Sequence, residues 1–429
     1  MKRNKTSVFI LSIIAILGLS GCTFQDVKSW FQSNIIDPVK ALIYGETPEG
    51  NKDDKKDDQK PDDQKPDQGG DQGGEGDQGG EGGEQDTRPD YEKGDKKAED
   101  GTGLMFSETI GFNTKDATVF EDGENARYII YASNETAKGE QVFAARKAQL
   151  ENGAWKYGEK HIILRGATDA NAWDKAIFQP SVIKGEFHLG ETEYHYLMAY
   201  QGNEDGTNYN NHIGLAVSND VLGEWVRVGN APLIENPELY ESSFGFGSPE
   251  LVSYNEHGQA FLFYSFGETQ LSGTRVKTAD FSDLDHIQLE AGYAELPTAG
   301  LIGRDDGITS NAGFAISQDN KLYIANDGMP SYNAPGCANA FEIAEAELNI
   351  VSSFDEQWTS IERFGSLDSM DEEKLGWDEL YSPTFVRDAF GRVDTSDGKL
   401  EVVYSTFDED AGANARYTGQ LALHEVNLQ

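Results

Sequence analysis

A pattern of short apolar runs recurs five times between about residue 116 and the end of the chain, and it restricts the fold more than any other feature. The first run of each copy spans residues 116–120, 178–183, 248–252, 311–316 or 382–386. Two further runs follow each one, all rich in β-branched and aromatic residues and bounded by Gly, Asn or Asp, which are strand and turn signals. At a spacing of roughly 65 residues, each copy is too short to form its own core. The repeat therefore predicts an all-β fold, a five-bladed β-propeller of four-stranded antiparallel blades.

The second copy has the clearest series of strands and also carries a resemblance to a known family. Its motifs are Gln179-Pro180-Ser181-Val182-Ile183, a tyrosine-rich second strand, and Ile213-Gly214-Leu215-Ala216-Val217-Ser218 followed by Gly223-Glu224-Trp225. They resemble the second blade of the family 43 glycoside hydrolases and their relatives, and the resemblance extends more weakly over about residues 104–429. It implies a five-bladed propeller, whereas related folds host several chemistries.

The first residues of the innermost strands meet around the channel of a propeller, and here they form the candidate site. They are Asp116, Gln179, Ser248, Asn311 and Ser382. The resemblance implies inverting hydrolysis by a base from the first blade, a second Asp that tunes the acid, and a Glu acid from the third blade, with base and acid roughly 6.5–9.5 Å apart. Asp116 matches the base, although Ala117 replaces the usual Pro. Gln179 and Ser248 replace the two other carboxylates, and neither residue type serves as a general acid.

Other carboxylates are therefore candidates for the missing roles. Glu250 lies two residues after Ser248, and alternate residues of a strand share a face, so we expect it to point where Ser248 points. Arg304 and Asp305 resemble the Arg-Asp pairs of related fructan-acting propellers. The predicted catalytic set is Asp116, Glu250 and Asp305, with Gln179, Ser248, Arg304, Asn311 and Ser382 contacting substrate. The alternatives are an exposed strand carboxylate at Glu250 and an ordinary Asp-Asp-Gly turn at 305–307.

Two phenylalanines precede the third copy, in the run Glu241-Ser242-Ser243-Phe244-Gly245-Phe246-Gly247. Aromatic side chains at the entrance of a channel provide a stacking surface for sugar rings. Buried packing is the alternative for at least one of the two.

The N-terminus reads as an export signal over residues 1–21, with Lys2, Arg3 and Lys5 before an apolar run. Leu19-Ser20-Gly21-Cys22 resembles the lipobox of bacterial lipoproteins, which implies cleavage before Cys22 and acylation of its thiol with chains such as palmitate. An ordinary secretory signal is the alternative. Several acyl chains would hold the chain to a membrane persistently. We therefore expect a lipid-anchored protein exposed on the extracellular or periplasmic side.

Two segments separate Cys22 from the repeats. Residues 22–46 carry apolar side chains at helical spacing, although Pro38 interrupts the pattern, and either membrane association or docking explains them. Residues 47–103 consist of charged runs and Gln-Gly-Gly or Glu-Gly-Gly units with almost no apolar side chains, which predicts a flexible linker. The propeller is predicted to span residues 104–429.

The formal net charge of -40 argues against a nucleic-acid partner, which requires a basic face. It suits a neutral or cationic substrate. With 2 Cys, one of them the expected acylation site, no disulfide framework or cysteine-rich zinc site is predicted, and the 7 His form no metal motif. We expect no cofactor, with structural calcium in Asp-rich loops as an alternative. We expect a monomer whose partners are carbohydrate and, through its lipid, the membrane.

Three function classes follow from these observations. The first is a glycoside hydrolase with a non-standard carboxylate set, and the second is a non-catalytic glycan-binding lipoprotein. The third is a surface protein that binds a protein partner and no sugar. Retention of Asp116 favours the first class, whereas Gln179 and Ser248 favour the second.

Overall fold

The computed structural model describes the repeats and little before them. The described residues are 105–106, 114–135 except 124, 141–235 except 208, 243–267, 272–301, 311–328, 340–351, 356–365, 379–407 and 419–428. All of them belong to one compact unit, Gly83–Gln429. The signal, Cys22, the linker, Arg304 and Asp305 lie outside the described residues.

Five blades of antiparallel strands follow one another along the described part of the chain, as the repeat predicts, and the first and fifth blades share one sheet. The first two blades comprise β1 (Thr114–Glu121), β2 (Ala126–Asn134), β3 (Gln141–Glu151), β4 (Ala154–Tyr157), β5 (His161–Arg165), β6 (Ala176–Leu189), β7 (Thr192–Asn203), β8 (His212–Ser218) and β9 (Val226–Arg227). The third comprises β10 (Gly245–Ser253), β11 (Gln259–Gly267), β12 (Ser272–Asp280), β13 (Gln288–Leu289) and β14 (Ala294–Glu295).

The last two blades begin after residue 310. They comprise β15 (Gly313–Ser317), β16 (Lys321–Gly328), β17 (Ala340–Glu347), a 3-10 turn (Leu348–Val351), β18 (Thr359–Gly365), β19 (Glu379–Asp388), β20 (Arg392–Val393), β21 (Lys399–Phe407) and β22 (Gln420–Asn427). Strands β1, β6, β10, β15 and β19 are the first strands of their blades. The predicted five-bladed β-propeller is confirmed.

The ends of the propeller meet between the fifth and first blades. Strand β1 pairs in parallel with β19, from Val119 opposite Val386 to Glu121 opposite Asp388, so these two blades form one continuous sheet. The backbone N–H of Met105 donates to the carbonyl oxygen of Leu421 on β22 at 3.0 Å. Contacts from both ends of the sequence therefore close the ring of blades.

The apolar core lies between neighbouring blades. One cluster contains residues of the first and second blades, and four others join the second to the third, third to fourth, fourth to fifth and fifth to first. Phe263 of the third blade, for example, stacks on Phe314 of the fourth with ring centroids 4.5 Å apart. Each sheet thus buries its two apolar faces against different neighbours, which is why a single copy could not fold alone.

A β-bulge interrupts the start of the first strand in four blades. The pairing register shifts between Lys115 and Thr118, Phe178 and Ser181, Gly247 and Glu250, and Tyr381 and Thr384. Proline follows the bulged residue in three of these blades, at positions 180, 249 and 383. Proline has no N–H to donate, so a bulge is one of the few places in a sheet that accepts it. The bulges bend the strand ends that form the candidate site.

No helix among the described residues is long and apolar enough to cross a membrane.

Candidate functional site

The five residues predicted to meet around the channel share one unusual backbone conformation. Asp116, Gln179, Ser248, Asn311 and Ser382 have φ angles of 52°, 47°, 47°, 44° and 51°. A positive φ is uncommon outside glycine, and strained backbone of this kind persists only where the surrounding structure enforces it. We call these five residues the axial ring.

Side-chain hydrogen bonds connect three members of the axial ring directly. The amide nitrogen Nε2 of Gln179 donates to Oδ1 of Asn311 at 2.8 Å. The hydroxyl oxygen of Ser248 lies 2.8 Å from Oε1 of Gln179 and 3.1 Å from Oδ1 of Asn311. The structure therefore brings together residues that are 63 to 132 positions apart in the sequence.

The bulges free backbone N–H groups that would otherwise pair within the sheet, and side chains of the preceding blade accept them. Ser248 N–H donates to Oε1 of Gln201 at 3.1 Å, and Ser382 N–H to Oδ1 of Asp327 at 2.9 Å. Asp116 N–H donates to Oγ of Ser405 at 3.1 Å. All three acceptors lie near the end of the second strand of their blade. Sequence reasoning missed them; the signal that could have found them is a buried polar residue at that repeated position.

Asp116 is the axial-ring residue best suited to acid–base chemistry. Its side chain is 2% exposed, and burial raises the pKa of its carboxyl above the usual value, while Lys115, with Nζ 3.4 Å from Oδ2, and the side chain of Ser382 oppose this rise. Among the described residues, Oδ1 of Asp116 has no hydrogen-bond partner. A carboxylate with a raised pKa and a free oxygen can accept a proton from water or from a sugar hydroxyl.

Glu250 reaches the axis but is engaged in a buried ion pair. Its Oε2 lies 2.7 Å from Nη1 of Arg387, and Ser181 and Thr384 donate their hydroxyls to its two oxygens at 2.7 and 3.1 Å. Burial raises the pKa of the carboxyl, and Arg387 opposes the rise. A proton donor at this position would have to leave all three partners.

The expectation that Glu250 simply repeats the direction of Ser248 rested on strand alternation, which the bulge between Gly247 and Glu250 interrupts. Both residues nevertheless line one cavity of about 20 Å³ on the propeller axis. The cavity is enough for a single water molecule. The polar side chains around it are Gln179, Ser248, Glu250, Asn311, Ser382 and Thr384. A ligand larger than a water molecule cannot occupy this cavity. It would therefore contact the axial ring from the side that faces away from the cavity, which we call its outer side.

Two aromatic side chains stand beside the axial ring. Phe178, half-buried, precedes Gln179, and Nζ of Lys115 lies 5.2 Å from its ring centroid. Phe244 is also half-buried, whereas Phe246 is 8% exposed and packs on Tyr264. Of the two phenylalanines proposed as a sugar platform, Phe246 thus belongs to the core and Phe244 remains a candidate.

Within the described part of the chain, no group of three metal-ligating side chains could hold a metal ion. The predicted site residues Arg304 and Asp305 lie outside that part, and five of the eight residues in the predicted set line the cavity on the axis, namely Gln179, Ser248, Glu250, Asn311 and Ser382.

The solved structures that are similar to this chain include several glycoside hydrolases. No family model matches the chain, and no curated protein sequence matches it. Among solved structures, the chain is similar to a thermostable family-43 glycoside hydrolase at 16% identity and a TM-score of 0.49, covering 76% of this chain and 93% of that chain. An endo-arabinase from Bacteroides thetaiotaomicron matches at 13% identity and a TM-score of 0.43, covering 75% and 98%.

A family 117 glycoside hydrolase from the marine bacterium Zobellia galactanivorans matches at 10% identity and a TM-score of 0.47, covering 75% of this chain and 87% of that chain. Over part of its length the chain is therefore similar to these glycoside hydrolases and their relatives, at identities of 10–16% and TM-scores of 0.43–0.49.

Proposed function

We propose that this protein binds a neutral oligo- or polysaccharide at the outer side of the axial ring. The observation that carries the proposal is the hydrogen-bonded cluster of Gln179, Ser248 and Asn311 in a strained ring that also contains Asp116, whose Oδ1 is free among the described residues. Such groups donate to and accept from sugar hydroxyls. A few polar groups of this kind beside aromatic side chains such as Phe178 and Phe244 are typical of small-molecule sites.

The charge of the site favours an uncharged sugar. Asp116 belongs to the ring, and the buried carboxylate of Asp327 contacts both Asn311 and Ser382. Lys115 is the cation beside Asp116. An anionic glycan would be repelled by these carboxylates and by a chain of net charge -40.

Hydrolysis is the second candidate, and the raised pKa of Asp116 is the observation that favours it. A base alone is insufficient, because inverting hydrolysis also needs a carboxylic acid. Gln179 and Ser248 cannot supply one, and Glu250 is paired with Arg387. The hydrolase hypothesis therefore depends on Asp305 as the acid.

A glycan screen that reads bound ligand and released reducing sugar in the same wells separates these functions. We would use the compact unit Gly83–Gln429, the variant Asp116→Asn, and Asp394→Asn as an exposed control on the fifth blade. We expect binding of neutral glycans that weakens about tenfold in Asp116→Asn, the effect of one hydrogen bond to a charged group, and is unchanged in the control.

Release of sugar that disappears in Asp116→Asn would establish hydrolysis. Neither binding nor release by the wild-type unit would contradict both proposals and favour a protein partner.

We also propose that the chain is exported and held on the outer or periplasmic side of a membrane by acylation of Cys22, with residues 47–103 as the tether. The lipobox-like Leu19-Ser20-Gly21-Cys22 supports this. Cells expressing the full chain should incorporate labelled palmitate into it, and Cys22→Ser should abolish the label, with Cys337→Ser as the matched control. Equal labelling of Cys22→Ser would contradict the proposal.

A further inference from the structure

A buried carboxylate outside the predicted site contacts two residues of the axial ring. Asp327, near the end of β16, is 1% exposed. Its Oδ1 accepts the N–H of Ser382 and its Oδ2 accepts Nδ2–H of Asn311, both at 2.9 Å. Both contacts come from donors, and a carboxylate oxygen accepts them.

We propose that Asp327 is a positioning residue that sets the donor and acceptor directions of the axial ring and so determines which sugar hydroxyls the ring recognises. The inference rests on the proposed glycan binding.

The first consequence concerns the amide of Asn311. An amide has one end that donates and one that accepts, and only the donating NH₂ end can face a carboxylate. Asp327 therefore turns the carbonyl end of Asn311 towards Gln179. That oxygen accepts from Nε2 of Gln179 at 2.8 Å.

The order set at Asn311 continues to the next two residues. With its NH₂ group committed to Asn311, Gln179 presents Oε1 to Ser248, whose N–H and hydroxyl lie 3.0 and 2.8 Å away. The chain of contacts from Asp327 through Asn311 and Gln179 to Ser248 thus has one consistent direction. If the amide of Asn311 were reversed, its NH₂ group would face the NH₂ group of Gln179. Two donors would then oppose each other, and this chain of hydrogen bonds would be broken.

The second consequence concerns Asp116. Asp327 holds the backbone of Ser382 through the N–H of that residue, and the side chain of Ser382 is one of the groups that lower the pKa of the Asp116 carboxyl. Asp327 therefore positions two parts of the axial ring, one through Asn311 and one through Ser382. Neither of these two hydrogen bonds contacts the outer side of the ring.

Exchange of the two side chains tests the inference. Asp327→Asn places an NH₂ group against one of the two donors, Nδ2 of Asn311 or the N–H of Ser382, whereas Asn311→Asp combined with Asp327→Asn restores one donor, one acceptor and the original net charge. Aspartate is among the residues that tolerate the positive φ at position 311. Asp319→Asn, an exposed carboxylate on the same blade, is the matched control.

Two readouts would be applied to the full chain in detergent. The first is the affinity for the neutral oligosaccharide found in the glycan screen. The second is the side-chain amide NMR spectrum of the asparagines and glutamines labelled with ¹⁵N, which needs no ligand. We expect Asp327→Asn to weaken binding about tenfold or more and to shift the amide signals of Asn311 and Gln179. The exchanged variant should recover binding and the shift of Gln179, and Asp319→Asn should match the wild type.

Unchanged Asn311 and Gln179 signals in Asp327→Asn would overturn the inference. A folded exchanged variant without recovery of the Gln179 signal would do the same, because the charge at 327 itself would then matter. If Asp327→Asn does not fold, a folded exchanged variant supports the inference and an unfolded one refutes it. If the wild type binds no glycan, the proposed function fails while the amide signals still decide the ring's polarity.

Discussion

At the scale of single residues, Asp116 combines features that oppose stability. Its carboxyl is buried, its Oδ1 has no partner in the described part of the chain, and its backbone has a positive φ. Lys115 is a single ion-pair partner at 3.4 Å. Strain and unsatisfied polar groups that a fold retains are found mostly at functional sites. These features are the basis on which we propose a role for Asp116 in binding or catalysis.

The pH dependence of the free energy of unfolding should show how much the buried carboxyl of Asp116 destabilises the fold. Its pKa in the folded chain lies above the ordinary aspartate value of 3.8, so between these two pH values the folded state holds a proton that the unfolded state has lost. The stability contributed by the carboxyl is thus full below about pH 3.8 and is lost as the pH rises through the folded pKa. We expect Asp116→Asn to be more stable than the wild type at pH 7, by about 1 kcal/mol, and this difference to vanish near pH 3.

Thermal unfolding of both proteins across this pH range is the measurement. A wild type more stable than Asp116→Asn at neutral pH would show that the ion pair with Lys115 outweighs burial.

At the scale of elements, the bulge at the start of the first strand in four blades requires space as well as hydrogen-bond acceptors. In the third blade, Gly247 precedes the bulge, and a methyl group added there would overlap Oε1 of Gln201 and the ring of Phe244. Gln201 is one of two side chains that accept Ser248 N–H, and Gln179 is the other. The absence of a side chain at Gly247 thus allows Gln201 of the second blade to accept the backbone N–H of Ser248 in the third blade.

Gly247→Ala should therefore destabilise the fold through two effects. Displacement of Gln201 removes one of the two side-chain acceptors of the buried Ser248 N–H, and the added methyl overpacks the contact. Together they should cost about 2–4 kcal/mol in the free energy of unfolding. Gly292→Ala is the matched control, because a methyl group there meets nothing within 4 Å, and it should change stability by less than about 0.5 kcal/mol. Chemical denaturation measures both, and equal stabilities of the two variants would contradict this account of the bulge.

At the scale of the whole molecule, Arg387 joins the fifth blade to the other four. Its Nη1 donates to the carbonyl oxygens of Leu251 and Phe314 at 3.2 and 3.0 Å. Its Nη2 donates to the hydroxyls of Thr118 and Ser181 at 3.2 and 3.3 Å. With Glu250 as its ion-pair partner, this one side chain contacts every other blade at the axis. Arg387 thereby links all five blades near the axis of the propeller.

Loss of Arg387 should affect stability more than loss of a surface cation. Arg387→Met leaves the buried carboxylate of Glu250 without its charge partner, and we expect a loss of about 3–5 kcal/mol. Adding Glu250→Gln should recover part of that loss. Lys399→Met is the control, because the pair Lys399 and Glu425 has side chains 44% and 52% exposed and should contribute less than about 1 kcal/mol. Urea denaturation compares the four proteins, and an Arg387→Met variant as stable as the control would refute the axial role.

The periodic sequence determined the strands, the five blades and the membership of the axial ring. Runs of β-branched and aromatic residues encode extended backbone locally, and residues at equivalent positions of a repeat come together when the repeats close. The predicted first strand of the fourth copy began at residue 311, whereas β15 begins at Gly313, because Asn311 adopts a positive φ before the strand.

Tertiary structure alone decided how the ring is held and which carboxylates are free. The acceptors Gln201, Asp327 and Ser405 lie 47, 55 and 289 positions from the N–H groups they bind. Pairing of Glu250 with Arg387 likewise depends on how the third and fifth blades face each other at the axis. Strand periodicity carries no information on such contacts, since each one is set by the packing of one whole blade against another.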